Sequence, residues 1–364
     1  MIYFDNAATT YPKPEKVYKE LNEANRNAFN AGRGSYEKAR EATKEIDDLR
    51  KKLLTLNKTN NASIIFTNSA TESLNNIIFG IDIKEGGYIY VTPFEHNSII
   101  RPLEELKRRK NIKVIELPFN KETWEPNLEK INDMFSLQKP SAVFISQISN
   151  VTGYIVPYEK IFSLAKKYNS INILDAAQGF GIIPINNCDI INYIVFAGHK
   201  SLYASFGIAG FIKLSSDYLA PNIFGGTGSE TLNPNMPSEF PYEAGSQNIV
   251  AIRGLSKSID WLNANPVYEK KAKLTKYLIK ELKQLENIKL FLPDNNDNIF
   301  GIVSFIVLGY SSSDVGMILD TEYNICVRTG YHCAPLVHDF IDSLQYNGTI
   351  RVSLGYFNTK EEID

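Results

Sequence analysis

Between Ser63 and Lys213, short apolar, β-branched runs alternate with stretches of helical periodicity, and this alternation constrains the fold more than any other feature. The runs predicted as strands are 63–67, 88–92, 142–146, 171–174, 193–196 and 208–213. Strands separated by helices need crossover connections, so the pattern predicts an α/β fold with a mainly parallel sheet. In such a sheet ligands bind beyond the carboxyl ends of the strands. Just past the ends of these runs stand Asn68 through Glu72, Glu95-His96-Asn97, Gln147 with Asn150, Asp175 with Gln178, and His199-Lys200. Five consecutive strand ends thus deliver polar or titratable side chains to one edge.

Lys200 is the reactive candidate. A lysine amine becomes nucleophilic when its pKa is lowered, and it then condenses with carbonyls, including that of pyridoxal phosphate. That cofactor needs an acidic partner on its pyridine nitrogen, and Asp175 could supply it; a helix cap is the plainer reading of the same residue. Ser69-Ala70-Thr71-Glu72 turns a strand into a helix whose N-terminus suits a phosphate, or is simply capped. His96 could stack on a flat ring or serve as a core or capping histidine. Gly225-Gly226-Thr227-Gly228-Ser229 could also cradle phosphate, although it is no Walker loop and Gly179-Phe180-Gly181 no dinucleotide fingerprint.

Elsewhere the pattern is helical at 14–25 and at 37–54, the latter with Ser35 as a plausible cap, and a turn carrying Arg33 lies between them. Helical patterns at 249–262 and 268–285 lead to a second run of elements at 302–308, 313–323, 325–328 and 349–353. This predicts a smaller α+β domain: residues 13–255 form the large domain, and 1–12 with 256–364 the small one. Thr359-Lys360-Glu361-Glu362 fits a capping box that opens a helix, so the natural chain is expected to continue past Asp364.

Cys333 sits in a loop marked out by Gly330 and Pro335, which predicts mobility, with His332 beside it; a cysteine near cationic groups tends toward the reactive thiolate. Cys188 and Cys326 read as small buried hydrophobes. His332, Cys333 and His338 match zinc spacings poorly, so no metal is expected. Arg351, on a strand near the end, could clamp a carboxylate in a bidentate pair or lie at the surface.

Composition sets outer limits. With 364 residues, 43% apolar and 22% charged, the chain can build about two globular domains. A net charge of -2 gives no bulk attraction for nucleic acid or an anionic membrane. The longest apolar run, 299–310, is interrupted and shorter than the roughly 20 residues that span a bilayer. Three cysteines make no disulfide framework and suit a reducing, cytoplasmic setting.

Taken in order, these motifs resemble the cysteine desulfurases, class V aminotransferase-like members of the fold type I pyridoxal phosphate enzymes. The resemblance runs nearly end to end. It is carried by Tyr3 through Thr10, Ile65-Phe66-Thr67 with Ala70 through Asn75, Glu95 through Ser98, Ser149 through Gly153, Asp175 through Gln178, Gly198-His199-Lys200, Arg328 through His338, Arg351-Val352-Ser353 and Tyr356 through Thr359. It implies a large domain with a mainly parallel, seven-stranded type of sheet and a homodimer with sites at the interface.

By the same resemblance Lys200 carries pyridoxal 5'-phosphate and moves protons at the substrate's α-carbon. Asp175 pairs with the pyridine nitrogen, Gln178 with the ring hydroxyl, and His96 stacks on the ring. Ala70, Thr71 and His199 hold the phosphate, joined by Thr227 from the partner subunit. Asn150 and Arg351 orient L-cysteine, and Cys333 takes its sulfur as a persulfide, releasing alanine and feeding iron–sulfur cluster assembly or another acceptor protein. Ala197 stands where relatives commonly carry Ser or Thr, Gln147 replaces a frequent His, Tyr203-Ala204-Ser205 a Tyr-Gly-Pro, and Ser246 a Thr. The rival readings are an aminotransferase or selenocysteine lyase on the same scaffold, or a cofactor-poor scaffold protein.

Overall fold

The computed structural model describes residues 1–32, 34–59, 62–227, 232, 234–236 and 241–364. Arg33, Gly228, Ser229 and Pro237, which the sequence places in turns or loops, lie outside these. After a short strand β1 (Ile2–Tyr3), helices α1 (Glu15–Asn27) and α2 (Glu37–Leu56) lead into the main sheet. The predicted cap at Ser35 is not made: α2 starts after Tyr36, which is extended and contributes no side-chain cap bond. Helix α2 instead buries Ala39, Ala42, Ile46, Leu49 and Leu53, the stripe its sequence spacing requires.

The main sheet contains β2 (Ser63–Thr67), β3 (Tyr88–Val91), β4 (Lys113–Glu116), β5 (Pro140–Ser146), β6 (Ile171–Asp175), β7 (Tyr193–Ala197) and β8 (Ala209–Lys213). Their order is β2-β8-β7-β6-β5-β3-β4. All pairings are parallel except those of β8, which runs antiparallel to both β2 and β7. Helices α3 (Ala70–Gly80), α4 (Asn97–Lys110), α5 (Leu128–Leu137) and α6 (Tyr158–Lys166) make the crossovers. Strand β7 is buried at every position, and β5 and β6 nearly so. That is why these strands read as continuous apolar runs instead of alternating ones. β4 escaped the sequence reading because it is a four-residue edge strand with an exposed residue at each end.

Helices α7 (Ile249–Asn263) and α8 (Val267–Leu282) connect to a second sheet of β9 (Ile288–Leu290), β10 (Ile302–Val307), β12 (Arg328–Gly330) and β13 (Thr349–Ser353). Its order is β12-β13-β10-β9, antiparallel throughout. Helix α9 (Ser312–Tyr323) precedes β11 (Ile325–Cys326), which pairs in parallel with β1. The single run predicted at 325–328 is therefore two strands in different sheets. Helix α10 (Pro335–Phe340) follows the Cys333 loop. The capping box at Thr359 forms, with Glu362 as its reciprocal partner, and opens the four-residue α11 (Lys360–Ile363).

The first ten residues bridge the two sheets. Asn6 bonds Ser353 and Asn358, while the carbonyl of His199 accepts from the amide and hydroxyl of Thr10, the hydroxyl of Thr9 and Nζ of Lys13. Among the described residues no helix is long and apolar enough to cross a membrane.

Candidate active site

The carboxyl ends of β2, β3, β5, β6 and β7 converge on one cavity of about 190 Å³, lined among others by Ala70, Thr71, His96, Asn150, Asp175, Gln178, His199 and Lys200. All five strand ends singled out from sequence contribute. Ser69, Ser98, Ser146, Ile148 and Ala177 also line it, and so does Ala197, where the sequence lacks a hydroxyl.

The Lys200 amine and the Asp175 carboxylate both line the cavity, each within reach of the other's charge, with no hydrogen bond between them among the described residues. Burial lowers the pKa of Lys200, and the Asp175 charge partly offsets this. Burial likewise raises the pKa of Asp175, which is 7% exposed, against the amide of Ala177 and the charge of Lys200. The Asp175 carboxylate accepts one bond, from the Ala177 amide at 3.0 Å. A buried carboxylate left with so few donors calls for a further partner. Behind it, fully buried Glu95 accepts from Thr92 Oγ1 (2.6 Å) and from the amide and hydroxyl of Ser146 (3.1 and 2.7 Å). Burial still pushes its pKa up to about 7.

His96 combines two roles. Its Nδ1 caps α4 by accepting from the Ser98 amide, as the plainer sequence reading held, while its ring lines the cavity. Burial, reinforced by the Lys200 charge, brings its pKa down to about 3, so the ring is neutral at physiological pH. His199 stacks on Phe206, has a pKa lowered by burial to about 4, and leaves its buried Nδ1 without a partner among the described residues. Gln178 donates to the Ala7 carbonyl at 3.0 Å. Thr227 is half-buried and outside the lining.

Cys333 is exposed, whereas Cys188 and Cys326 are half-buried instead of the buried pair expected. The loop carrying Cys333 is tied down, contrary to the mobility read from its Gly and Pro. Asn150 Nδ2 donates to the His332 carbonyl (2.7 Å), the Asn97 amide donates to the Cys333 carbonyl (2.7 Å), and His332 Nε2 lies 2.8 Å from Thr349 Oγ1. His338 spends Nδ1 on Ser343 and Nε2 on the Tyr331 carbonyl. His332 and Cys333 both adopt left-handed backbone, at φ 48 and 58. Arg328, which sequence reasoning passed over, brings Nη2 to 3.8 Å from Cys333 Sγ. Arg351 is only 2% exposed and is absent from the cavity lining; it donates to the Asn150 carbonyl (2.9 Å) and to Asp5 (2.6 Å).

The full length of the chain, residues 2–364, matches the family model described as aminotransferase class-V. The chain belongs to that family. Class-V relatives at comparable length include a probable cysteine desulfurase of Pyrococcus abyssi, 31% identical over 100% of this chain and 92% of the relative. One from Methanothermobacter thermautotrophicus is 29% identical over the same shares. Among solved structures, the apo cysteine desulfurase of Thermococcus onnurineus NA1 superposes with a TM-score of 0.89 at 28% identity, covering 100% of this chain and 92% of that one. The cysteine desulfurase CsdA of Escherichia coli gives 0.84 at 25%, with the same coverage. Membership makes the chain a pyridoxal phosphate-dependent enzyme with the fold type I architecture.

The cavity fits that cofactor on its own terms. A phosphate would meet the Ala70 and Thr71 amides at the start of α3, the Glu72 amide being capped by Ser69 Oγ, and Nδ1 of His199, which has no partner among the described residues. A pyridine nitrogen would give Asp175 the partner it lacks, and Lys200 is an amine held toward its nucleophilic form.

Proposed function

We propose that the chain is a pyridoxal phosphate-dependent cysteine desulfurase that converts L-cysteine to L-alanine and leaves the sulfur as a persulfide on Cys333. The observation that carries this is an exposed cysteine beside Arg328, on a loop that Asn150 of the cavity lining pins and near enough to Lys200 for their charges to interact. When bound, the cofactor supplies an electron sink that loosens the bonds at the substrate's α- and β-carbons. Lys200 would attach it and move the α-proton, with its lowered pKa keeping a share of neutral amine available. Asp175 would pair with the ring nitrogen, Gln178 with the ring hydroxyl, and the neutral ring of His96 would pack against the flat face. Ala70, Thr71 and His199 would hold the phosphate, and Asn150 and Arg351 the amino acid.

The Cys333 thiolate attacks the substrate sulfur: an S–S bond forms, the carbon–sulfur bond breaks, and its electron pair stays on carbon, which takes up a proton to give alanine. Arg328 Nη2, at 3.8 Å from Cys333 Sγ, is positioned to donate to the sulfur before and after transfer. The same reading makes the enzyme a cytoplasmic homodimer that passes sulfur to an acceptor protein, as in iron–sulfur cluster assembly. Thr227 would reach the partner's phosphate site, and exposed Phe206, stacked on His199, with exposed Ile223 and Phe224, close to Thr227 in sequence, support a subunit contact. The large unit is 13–255 and the small one 1–12 with 256–364.

The test is sulfide and alanine release from L-cysteine. With an added thiol that reduces the persulfide, itself becoming a disulfide, the wild type releases both in equal amounts. Cys333→Ala keeps the visible cofactor band, which borohydride fixes on Lys200, yet loses about a hundredfold or more in sulfide release. Full release from Cys333→Ala would overturn the persulfide role and favour a lyase that does not need the thiol.

A further inference from the structure

Arg351 already holds a carboxylate. Its Nη2 lies 2.6 Å from Oδ1 of Asp5, a contact between residues 346 positions apart. Nη1 is spent on the Asn150 carbonyl at 2.9 Å, and Nε is buried with no partner among the described residues. The guanidinium is thus almost completely enclosed, and the charged group standing against it belongs to the N-terminal arm. The two partners are held differently. Arg351 projects from the central region of a sheet strand and is 2% exposed, whereas the Asp5 side chain is 22% exposed. The arm's backbone is fixed independently of that carboxylate: Asp5 bridges Ser353, the Asn6 amide donates to the Ser353 carbonyl, and the Ala7 amide donates to the Ser353 hydroxyl at 2.8 Å. Among the described residues the Asp5 carboxylate has no hydrogen bond other than the one to Arg351. It can rotate away without unfastening the arm.

Arg351 donates to the carbonyl of Asn150, which lines the Lys200 cavity, and its charge acts on Lys200, so an amino acid bound there would bring a carboxylate of the same chemistry toward the same guanidinium. We propose that Asp5 is a resident carboxylate ligand of Arg351 that the substrate's α-carboxylate displaces, so that binding is an exchange of one anion for another. The proposal rests on reading the Lys200 cavity as an amino-acid site. Exchange has two consequences. Binding is weaker than a bare buried arginine would give, which favours release of the product. A ligand without a free carboxylate leaves the Asp5–Arg351 pair closed and is rejected. Exchange also conserves charge at the site, so affinity varies little with ionic strength.

The experiment is a titration of the cofactor's visible band with L-alanine, in holoenzyme of wild type and Asp5→Asn, at low and high salt. L-alanine carries the carboxylate but no sulfur, so the readout is binding and not turnover. Asp5→Asn should bind L-alanine about tenfold more tightly and lose that gain as salt rises, while the wild type stays nearly flat. Unchanged or weaker binding by Asp5→Asn overturns the proposal and assigns Asp5 to holding Arg351 in place. No response to L-alanine in either protein overturns the amino-acid reading of the cavity together with the proposal. If Asp5→Asn does not fold, a crystal structure of the wild type with L-alanine decides. Separation of Asp5 from Arg351 supports exchange, and a retained contact overturns it.

Discussion

At the scale of single residues, the cavity is built from groups whose ordinary charge is unfavourable where they sit. Glu95 makes this testable. Its pKa is raised from 4.5 to about 7, so between those values the folded chain holds a proton that the unfolded chain has released. Stability from this group is complete below pH 4.5 and is lost as pH rises through about 7. The full span corresponds to about 3 kcal/mol. Glu95→Gln should remove that slope, which is read as the difference between the two proteins in denaturant midpoints from pH 4.5 to 7.5. Lys200, Asp175, His96 and His199 were legible in sequence because each follows an apolar run, and the strand-end rule places such residues in one crevice. The Asp5–Arg351 pair was not legible. No periodicity links positions 346 apart, and the register that joins them is set by Ser353 against Asp5.

Among the elements, the antiparallel pair of β12 and β13 does for Cys333 what the large sheet does for Lys200. Gly330 pairs with Thr349, and Gly348, at φ 97, lies so close that a Cβ there would fall on the Gly330 backbone. Alanine at 348 meets both a left-handed backbone and a blocked space. Gly348→Ala should therefore cost about 1–3 kcal/mol, measured as a lower melting temperature, with the Cys333 thiol reacting at an altered rate with a neutral disulfide reagent. The sequence disclosed this loop by composition but misjudged its mobility. Gly and Pro report where a chain can turn, whereas the pins from Asn97, Asn150 and Thr349 depend on tertiary contacts. Strand β4 was missed for a related reason: an exposed edge strand lacks the apolar run by which buried strands announce themselves.

Taken as a whole molecule, the fold buries cations as well as carboxylates. Lys271, 8% exposed, lies over the Phe300 ring at 5.1 Å, and burial lowers its pKa to about 8. Between about 8 and 10.5 the unfolded chain binds a proton that the folded chain does not, so stability rises with pH in that window. The span is worth about 3 kcal/mol at most, since the ring offsets part of the burial cost. Lys271→Met should be more stable than the wild type at pH 7, with the difference shrinking toward pH 10.5 in urea titrations. This group and Glu95 slope in opposite directions, which leaves their combined contribution lowest near neutrality.

The pairing of β1 with β11 also sets an order of events as the chain is made. Ile2 and Tyr3 find their strand partners at Ile325 and Cys326, and Asn6 finds its own at Ser353 and Asn358. During synthesis the first residues emerge long before those partners exist, whereas the sheet from β2 to β8 is complete by Lys213. Thr9, Thr10 and Lys13 can grip the lysine turn firmly only once the arm is anchored from both sides. The contacts that fasten the arm over the backbone of the His199–Lys200 turn thus join the first part of the chain to be made with the last.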